Sequence, residues 1–197
     1  MRQNGKGKNM SEHVCPWWLG YLLASPIRQW IERRDPQAFL RPYVRPGMTV
    51  LEPGPGMGYF TLPMAKLVGP SGRVIAVDLQ AKMLEGLRHR ALKAGLLSRI
   101  EARLAAPDSL GVADLGEKVD FVLAYAMVHE VPLPQKLFRE TVATLKSGGQ
   151  FLLVEPSGHV RPAKFESELE FGRKAGLSEI ERPAVRRNLA ALLTKQG

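Results

Sequence analysis

The spacing of apolar residues changes at residue 48, where short apolar runs begin to alternate with longer amphipathic stretches. Strands are predicted by the apolar runs at residues 48–52, 74–77, 100–104, 119–124 and 150–155. Helices are predicted by helical spacing at residues 59–68, 81–94, 134–145 and 164–175. Two last apolar segments, at residues 178–185 and 188–194, predict a closing pair of strands.

This alternation predicts a parallel sheet with helices on both faces. Residues 121–124 are continuously apolar, as is typical of a parallel strand that is buried on both sides. In such sheets, ligands bind beyond the carboxyl ends of the strands. The candidate functional residues are therefore those that follow each strand.

The part of the chain before residue 45 has a different pattern. Residues 1–9 are polar and basic, which favours a frayed tail over a secretory signal. Apolar spacing predicts short helices at residues 17–23, 27–32 and 36–40.

A glycine-rich loop follows the first predicted strand. Gly54, Gly56 and Gly58 occupy alternate positions between that strand and the next helix. Glycine permits a tight turn and a close approach of ligand to backbone, and amides at a helix start face such a ligand. The dinucleotide pattern G-x-G-x-x-G does not fit, because the third glycine comes one position early and Tyr59 follows it. This spacing disfavours an NAD-dependent oxidoreductase.

Two acidic residues end the first two strands. Glu52 would repel a pyrophosphate but suits a ligand with an ammonium group and a sulfonium centre. Asp78 follows the loop at about the 20-residue distance expected for a carboxylate that binds ribose hydroxyls. Asp78 could equally cap the next helix, and both roles can hold together.

The ordered set of motifs resembles the class I, Rossmann-like S-adenosylmethionine-dependent methyltransferases, and most closely their small-molecule and quinone-biosynthesis group. The matching segments are residues 50–58, 74–78, 81–84, 119–122 and 145–151, the last with Ser147 where proline is usual. The resemblance covers roughly residues 45–194. It implies a doubly wound α/β fold whose mostly parallel sheet has seven strands, the last antiparallel, with helices on both faces.

The resemblance also implies S-adenosylmethionine as cofactor and S-adenosylhomocysteine as product. Residues 1–44 are then expected to form an N-terminal tail and helical lid, and residues 45–197 the cofactor-binding domain. The expected cofactor-binding residues are Glu52, Gly54, Pro55, Gly56, Gly58, Tyr59, Asp78, Leu79, Met83, Ala106, Asp108 and Ala124.

One position departs from the family pattern. Many relatives carry Gly-Asp after the third strand, where the aspartate holds the adenine amino group, but here Ala105 and Ala106 occupy that place. Asp108 could substitute for the aspartate, or it could simply form a turn after proline. In the second case, Leu79 and the segment at residues 104–106 would hold adenine.

The acceptor side is expected after the fourth strand. A sulfonium methyl is already activated, so a base is needed only if the acceptor must lose a proton. His129 is predicted as that base and Tyr125 as a second catalytic candidate, with Glu130 beside them. His129 could instead be a histidine that bonds only to backbone. His159, after the fifth strand, is a further candidate for the acceptor pocket.

The N-terminal segment holds another unusual group. Trp17 and Trp18 are best explained by aromatic packing onto the sheet. A sharper alternative brings His13 and Cys15 to the active site with His129, where Cys15 would be a reactive thiol or the set would bind a soft metal. These ligands are too few and too scattered, so no metal site is predicted.

Composition limits the remaining alternatives. The single cysteine of the 197-residue chain excludes an internal disulfide and fits a cytoplasmic protein. No apolar run is long enough to cross a membrane, and no signal for an oligomeric state is evident.

The formal charge of +9 raises the affinity for nucleic acid, but the basic residues are spread out, without an aromatic-interleaved stripe. A small-molecule methyl acceptor is therefore favoured. An RNA methyltransferase and a catalytically silent adenosyl-ligand-binding protein remain as alternatives.

Overall fold

The computed structural model describes residues 35–197. The helices in this range are α1 (Pro36–Leu40), α2 (Thr61–Leu67), α3 (Ala81–Lys93), α4 (Pro134–Thr144) and α5 (Pro162–Lys174). The strands are β1 (Thr49–Pro53), β2 (Arg73–Asp78), β3 (Ile100–Leu104), β4 (Val119–Tyr125), β5 (Leu145–Pro156), β6 (Leu177–Glu181) and β7 (Asn188–Lys195). His13, Cys15, Trp17, Trp18 and the helices predicted at residues 17–23 and 27–32 lie outside the described residues.

The seven strands form one sheet in the order β3-β2-β1-β4-β5-β7-β6. The pairs β1–β2, β1–β4, β2–β3 and β4–β5 are parallel. Strand β7 is antiparallel to both of its neighbours, so β6 runs in the same direction as β5. These findings confirm the predicted fold class, including the reversed last strand. The strand order changes direction between β1 and β4, which is where sheets of this kind bind ligands.

Both faces of the sheet are covered. Phe121 and Leu123 belong to a core with α1, α2 and α3, whereas Val122 and Ala124 belong to a second core with α4 and α5. Successive side chains of a strand point to opposite faces, so a strand buried on both sides must be apolar throughout. This explains the continuous apolar run of β4.

Helix α1 joins the first of these cores. The Asp35 side chain caps α1 by accepting a hydrogen bond of 2.9 Å from the Gln37 amide, and Pro36 occupies its first turn. Leu40 and Val44 are buried against the sheet. Among the described residues, no helix is long and apolar enough to cross a membrane.

Most predicted elements end close to their observed bounds, with two exceptions. Strand β5 begins at Leu145 rather than residue 150, because Leu145 pairs with Val119 before the register shifts to Gln150 opposite Phe121. Strand β6 ends at Glu181, and residues 182–187 form a loop where a strand to residue 185 was predicted.

Candidate functional site

The glycine loop leaves β1 with left-handed backbone at each of its three glycines. At Gly58, with a φ of 85°, an added Cβ would lie 2.4 Å from Cδ1 of Leu87 and 2.5 Å from Cδ1 of Leu62. At Gly56, with a φ of 53°, an added Cβ would meet no atom of the described residues within 4 Å. Packing therefore requires Gly58, while Gly56 leaves open space through which a ligand can approach the backbone.

Glu52 lies at the base of this loop and is 3% exposed. Its Oε2 accepts a hydrogen bond of 2.5 Å from Oγ1 of Thr61, at the start of α2. Burial raises the pKa of Glu52 to about 8, the Thr61 hydrogen bond opposes this rise, and the charge of Asp78 adds to it. Near pH 7 the carboxyl is therefore mostly protonated unless a cation is placed beside it.

Asp78 joins the glycine loop to α3. Its Oδ2 accepts a hydrogen bond of 3.2 Å from the Gly56 amide, and its Oδ1 accepts one of 2.9 Å from the Gln80 amide. Burial raises the pKa of Asp78, and these amide hydrogen bonds oppose the rise. Asp78 is not the cap of α3, because the N-cap is Gln80 and no side chain of the described residues caps the helix; Asp78 instead fixes the turn that leads into α3 and stands beside Gly56.

The segment after β3 lies beside Asp78, because the Ala105 amide donates to the Asp78 carbonyl at 2.9 Å. Ala106 and Ser109 then close a turn through paired backbone hydrogen bonds, with Asp108 exposed inside it. Leu79 is 46% exposed at the same edge. The structure thus brings the two sets of predicted adenine contacts together next to Asp78.

The remaining predicted cofactor residues, Pro55, Tyr59, Met83 and Ala124, are all buried. Pro55 is buried in the glycine loop, and Met83 packs on Met57 in a small buried cluster. Tyr59 is buried and its ring packs edge-on against Phe60, with ring centroids 4.8 Å apart. The Ala124 side chain is fully buried in the core on the α4 and α5 side.

The loop after β4 makes a close contact with the glycine loop. A Cβ added to Gly54 would lie 3.0 Å from Cβ of Met127. Ala126 has a φ of 53°, a left-handed conformation that is uncommon for a residue with a side chain, and its amide donates to the Val154 carbonyl at 2.7 Å. Such backbone strain is concentrated at functional sites. The residues that follow β4 are therefore held against the cofactor side of the sheet.

His129 is oriented by Glu155, a fully buried residue at the end of β5. Oε2 of Glu155 lies 2.5 Å from Nδ1 of His129, and Oε1 accepts hydrogen bonds from the amides of Val128 and His129, at 2.8 and 3.3 Å. The hydrogen bond with Glu155 is the main reason why the pKa of His129 is raised. Because Nδ1 faces Glu155, Nε2 is the nitrogen left to accept a proton.

Glu130 and His159 also lie near His129. Nε2 of His129 lies 3.9 Å from Oε1 of Glu130, and the ring centroid of His129 lies 6.2 Å from that of His159. The structure thus brings together His129, Glu130 and His159, as the sequence suggested. His129 is bonded to a carboxylate rather than to backbone alone.

Tyr125 lies at the end of β4 on the opposite face of the sheet from α4 and α5. Its ring packs on Phe60, with centroids 4.4 Å apart, and on Phe39, at 6.3 Å. Its hydroxyl lies 3.4 Å from Nδ2 of Asn188 at the start of β7. Tyr125 therefore connects the cofactor loop to the loop between β6 and β7.

A cavity of about 570 Å³ opens beside Asn188, which pairs with Pro156 at the end of β5. It lies between the first turn of α5 and the β6–β7 loop. The lining residues are Pro162, Phe165, Glu166, Arg182, Pro183, Ala184, Val185, Arg186, Asn188, Leu189 and Ala190. Arg182 forms ion pairs with Glu166 and Glu179. Most of the other lining residues are apolar. The cavity thus opens at the edge of the sheet where β5 ends.

Three residues of this region were not predicted as site residues. Glu155 ends an apolar strand in the same way as Glu52 and Asp78, and that shared signal could have identified it. Thr61 and Glu168 give no such signal, because each lies in a helix of mixed composition. Within residues 35–197, no three histidine, cysteine, aspartate or glutamate side chains are grouped so that they could hold a metal ion.

Comparisons with known proteins agree on one family. The chain matches the family model described as a methyltransferase domain over residues 45–187. It is similar to the arsenite methyltransferase of Halobacterium salinarum, with 31% identity over 169 residues, which are 83% of this chain and 40% of that protein. It is also similar to the ubiquinone/menaquinone biosynthesis C-methyltransferase UbiE of Hahella chejuensis, with 33% identity over 119 residues, which are 60% of this chain and 47% of that protein. The chain therefore spans less than half the length of these curated relatives.

The fold has a close counterpart among solved structures. A SAM-dependent methyltransferase from Aquifex aeolicus superposes with a TM-score of 0.80 and 22% sequence identity, covering 92% of this chain and 99% of that one. At this identity the agreement supports the fold.

Proposed function

This chain belongs to the class I S-adenosylmethionine-dependent methyltransferases, and on that premise we propose that it transfers the methyl group to a small-molecule acceptor by direct in-line displacement. The observation that carries this proposal is the His129–Glu155 pair, because His129 lies on the loop that contacts Gly54 of the glycine loop through Met127. His129, the proposed base, is thus at the same edge of the sheet as the predicted cofactor residues.

The residues of the glycine loop fit the cofactor. The open space at Gly56 accommodates a ligand against the backbone, and Asp78 is placed beside it to accept hydrogen bonds from ribose hydroxyls. The buried carboxyl of Glu52 gains a partner when an ammonium group approaches. When bound, S-adenosylmethionine supplies the activated methyl group. The chain supplies alignment and the exclusion of water.

His129 is proposed to act as the base for an acceptor that must lose a proton. Nε2 takes the proton, and the Glu155 carboxylate stabilises the imidazolium that forms. Only neutral His129 can act in this way, and its pKa is raised, so activity should increase as pH rises through that value. Tyr125 is proposed to border the acceptor through its contact with Asn188.

A small acceptor is supported by two observations. The relatives named above are an arsenite methyltransferase and a C-methyltransferase of ubiquinone/menaquinone biosynthesis, whose names refer to small molecules. The cavity beside Asn188 is within the size range of small-molecule sites and is lined largely by apolar residues. The lid role of residues 1–44 and a cytoplasmic location are part of this proposal.

Cofactor binding is tested with a matched pair of glycine variants. Gly56 and Gly69 both have left-handed backbone, with φ of 53° and 67°, and neither has an atom of the described residues within 4 Å of an added Cβ. Gly56→Arg should abolish the rise in melting temperature that S-adenosylhomocysteine causes, whereas Gly69→Arg should retain it. Equal loss of the rise in both variants would contradict the placement of the ligand at Gly56.

The acceptor class is tested by labelled methyl transfer to cell extract that is separated into small molecules, RNA and protein. We expect label in the small-molecule fraction, and we expect His129→Ala to reduce it while cofactor affinity stays nearly unchanged. Label in RNA, lost steeply between low and moderate salt, would instead support an RNA methyltransferase. Binding of S-adenosylhomocysteine with no transfer to any fraction would support a silent binding protein.

A further inference from the structure

Glu168 is a buried carboxyl without a hydrogen-bond partner among the described residues. It lies on the inner face of α5 between Phe165 and Leu169, and its side chain is 0% exposed. Within residues 35–197 neither carboxyl oxygen has a hydrogen bond, and Nζ of the half-exposed Lys164 lies 4.0 Å from Oε1. An ionised carboxylate in this setting is strongly disfavoured, so the position needs a specific explanation.

The charged groups that act on Glu168 belong to the proposed catalytic pair. From β5 the charge of Glu155 acts on it, from the loop after β4 His129 acts on it, and from its own helix Lys164 does so. Burial raises the pKa of Glu168 to about 7, the charge of Glu155 adds to the rise, and Lys164 and His129 oppose it. Glu168 in turn contributes to the raised pKa of His129, together with Glu155 and Glu130.

Val128, which precedes His129, lies in the same buried core as Phe165 and Leu169, the neighbours of Glu168 on the inner face of α5. This region therefore holds two carboxyls, Glu155 and Glu168, for the one imidazole of His129. Glu155 makes the direct contact with Nδ1, so it must remain the acceptor of that hydrogen bond. A second negative charge in the same buried region is favourable only while His129 carries a positive charge. Protonation of Glu168 and protonation of His129 are therefore expected to exclude one another in part.

We propose that Glu168 is a positioning residue for His129, giving up its proton to solvent as His129 takes one from the methyl acceptor. The proton balance is complete: the acceptor loses a proton to Nε2, Glu168 loses one to water, and the net charge of the buried region stays constant. When His129 returns its proton to water, Glu168 takes one back. This proposal rests on the proposed function, because the acceptor step requires His129 to be the base.

An NMR titration of the histidine side chains tests the coupling without any methyl acceptor. The chain has only four histidines, so His129 can be assigned with a single His129→Asn variant. In the wild-type protein, the His129 curve should be broader than that of one independent proton. Glu168→Gln should narrow the curve to that shape and lower its midpoint by roughly half to one pH unit.

The matched control is Glu170→Gln, which makes the same chemical change on an exposed turn of the same helix, where Glu170 pairs with Arg173 and Lys174. It should leave both the shape and the midpoint of the His129 curve unchanged. Equal midpoints in wild type and Glu168→Gln, or equal shifts in both variants, would overturn the proposal.

Two results separate the possible failures. If Glu168→Gln does not fold, the wild-type titration decides, and a His129 curve with the shape of one independent proton would overturn the coupling. The acid limb of the methyl-transfer rate should move by the same amount as the NMR midpoint in Glu168→Gln. A moved midpoint with an unmoved rate profile would overturn the base role of His129, and with it the proposed function, rather than the coupling itself.

Discussion

The buried carboxyl of Glu52 predicts that cofactor affinity depends on pH in a defined direction. With a pKa of about 8, Glu52 is mostly protonated near neutral pH, yet its proposed partner is a ligand ammonium group that requires the ionised form. Binding must therefore expel a proton, and affinity should rise with pH up to that value. The α-amino group of the ligand remains mostly charged below about pH 7.5, which sets the upper end of a clean window.

The size of the effect follows from the ionised fraction. From about pH 6 to about pH 7.5, that fraction of Glu52 rises from about 1% to about 24% for a pKa of about 8. If only the ionised form binds, the dissociation constant of S-adenosylhomocysteine should fall up to about 25-fold across this window. This ligand has no sulfonium charge, so it isolates the contribution of the ammonium group.

Isothermal titration calorimetry provides the assay, because buffers with different ionisation enthalpies reveal the protons released. Glu52→Gln mimics the protonated carboxyl, so it should release no proton from this position and its affinity should change little with pH. Glu168→Gln is the matched control, since it replaces another buried glutamate that lies on the acceptor side, and it should keep the wild-type slope. The linkage would be refuted by the same pH slope in wild type and Glu52→Gln.

Three other outcomes follow from described contacts. Gly58→Ala should lower the free energy of unfolding, measured by urea titration, by about 2–4 kcal/mol, because the new Cβ would collide with Leu62 and Leu87 at a φ of 85°. A loss no larger than that of Gly69→Ala would count against the packing role. Glu155→Gln should move the acid limb of the rate profile to lower pH, because its hydrogen bond is the main cause of the raised His129 pKa; an unmoved limb would contradict that cause. The unliganded protein should lose stability as pH rises from about 4.5 to about 8, because the folded state holds the proton of the Glu52 carboxyl more tightly than the unfolded state. Glu52 alone contributes up to about 1.4 kcal/mol per pH unit. Glu52→Gln should show a flatter dependence of stability on pH.

The central strands could be predicted because burial on both faces leaves an uninterrupted apolar run, as in Phe121 and Val122 of β4. The start of β5 could not be predicted, because residues 146–149 interrupt its pairing with β4. The polar, glycine-rich composition of these residues is typical of a turn. Gly148 has left-handed backbone at this interruption, and a glycine after a predicted helix is normally interpreted as the end of that helix.

The candidate site could also be predicted only in part. Glu52 and Asp78 stand out because a charge that ends an apolar strand has few structural explanations. In the structure Asp78 is bonded to the Gly56 amide, and Glu52 is bonded to Thr61 after the same loop. Glu168 does not stand out, because a glutamate in an amphipathic helix is normally exposed. Only the packing of α5 against the sheet shows that this one faces inward.

The reversed strand β7 has a consequence for how this enzyme can diversify. Because β7 is antiparallel to β6, the hairpin between them returns residues 182–187 to the edge where the parallel strands end, next to the cavity. That hairpin can lengthen, shorten or change its residues without altering the register of β1, β2 and β4. If the cavity holds the acceptor as proposed, selection or a protein engineer can change the acceptor through one surface hairpin while the strands that carry the glycine loop and Asp78 are inherited unchanged.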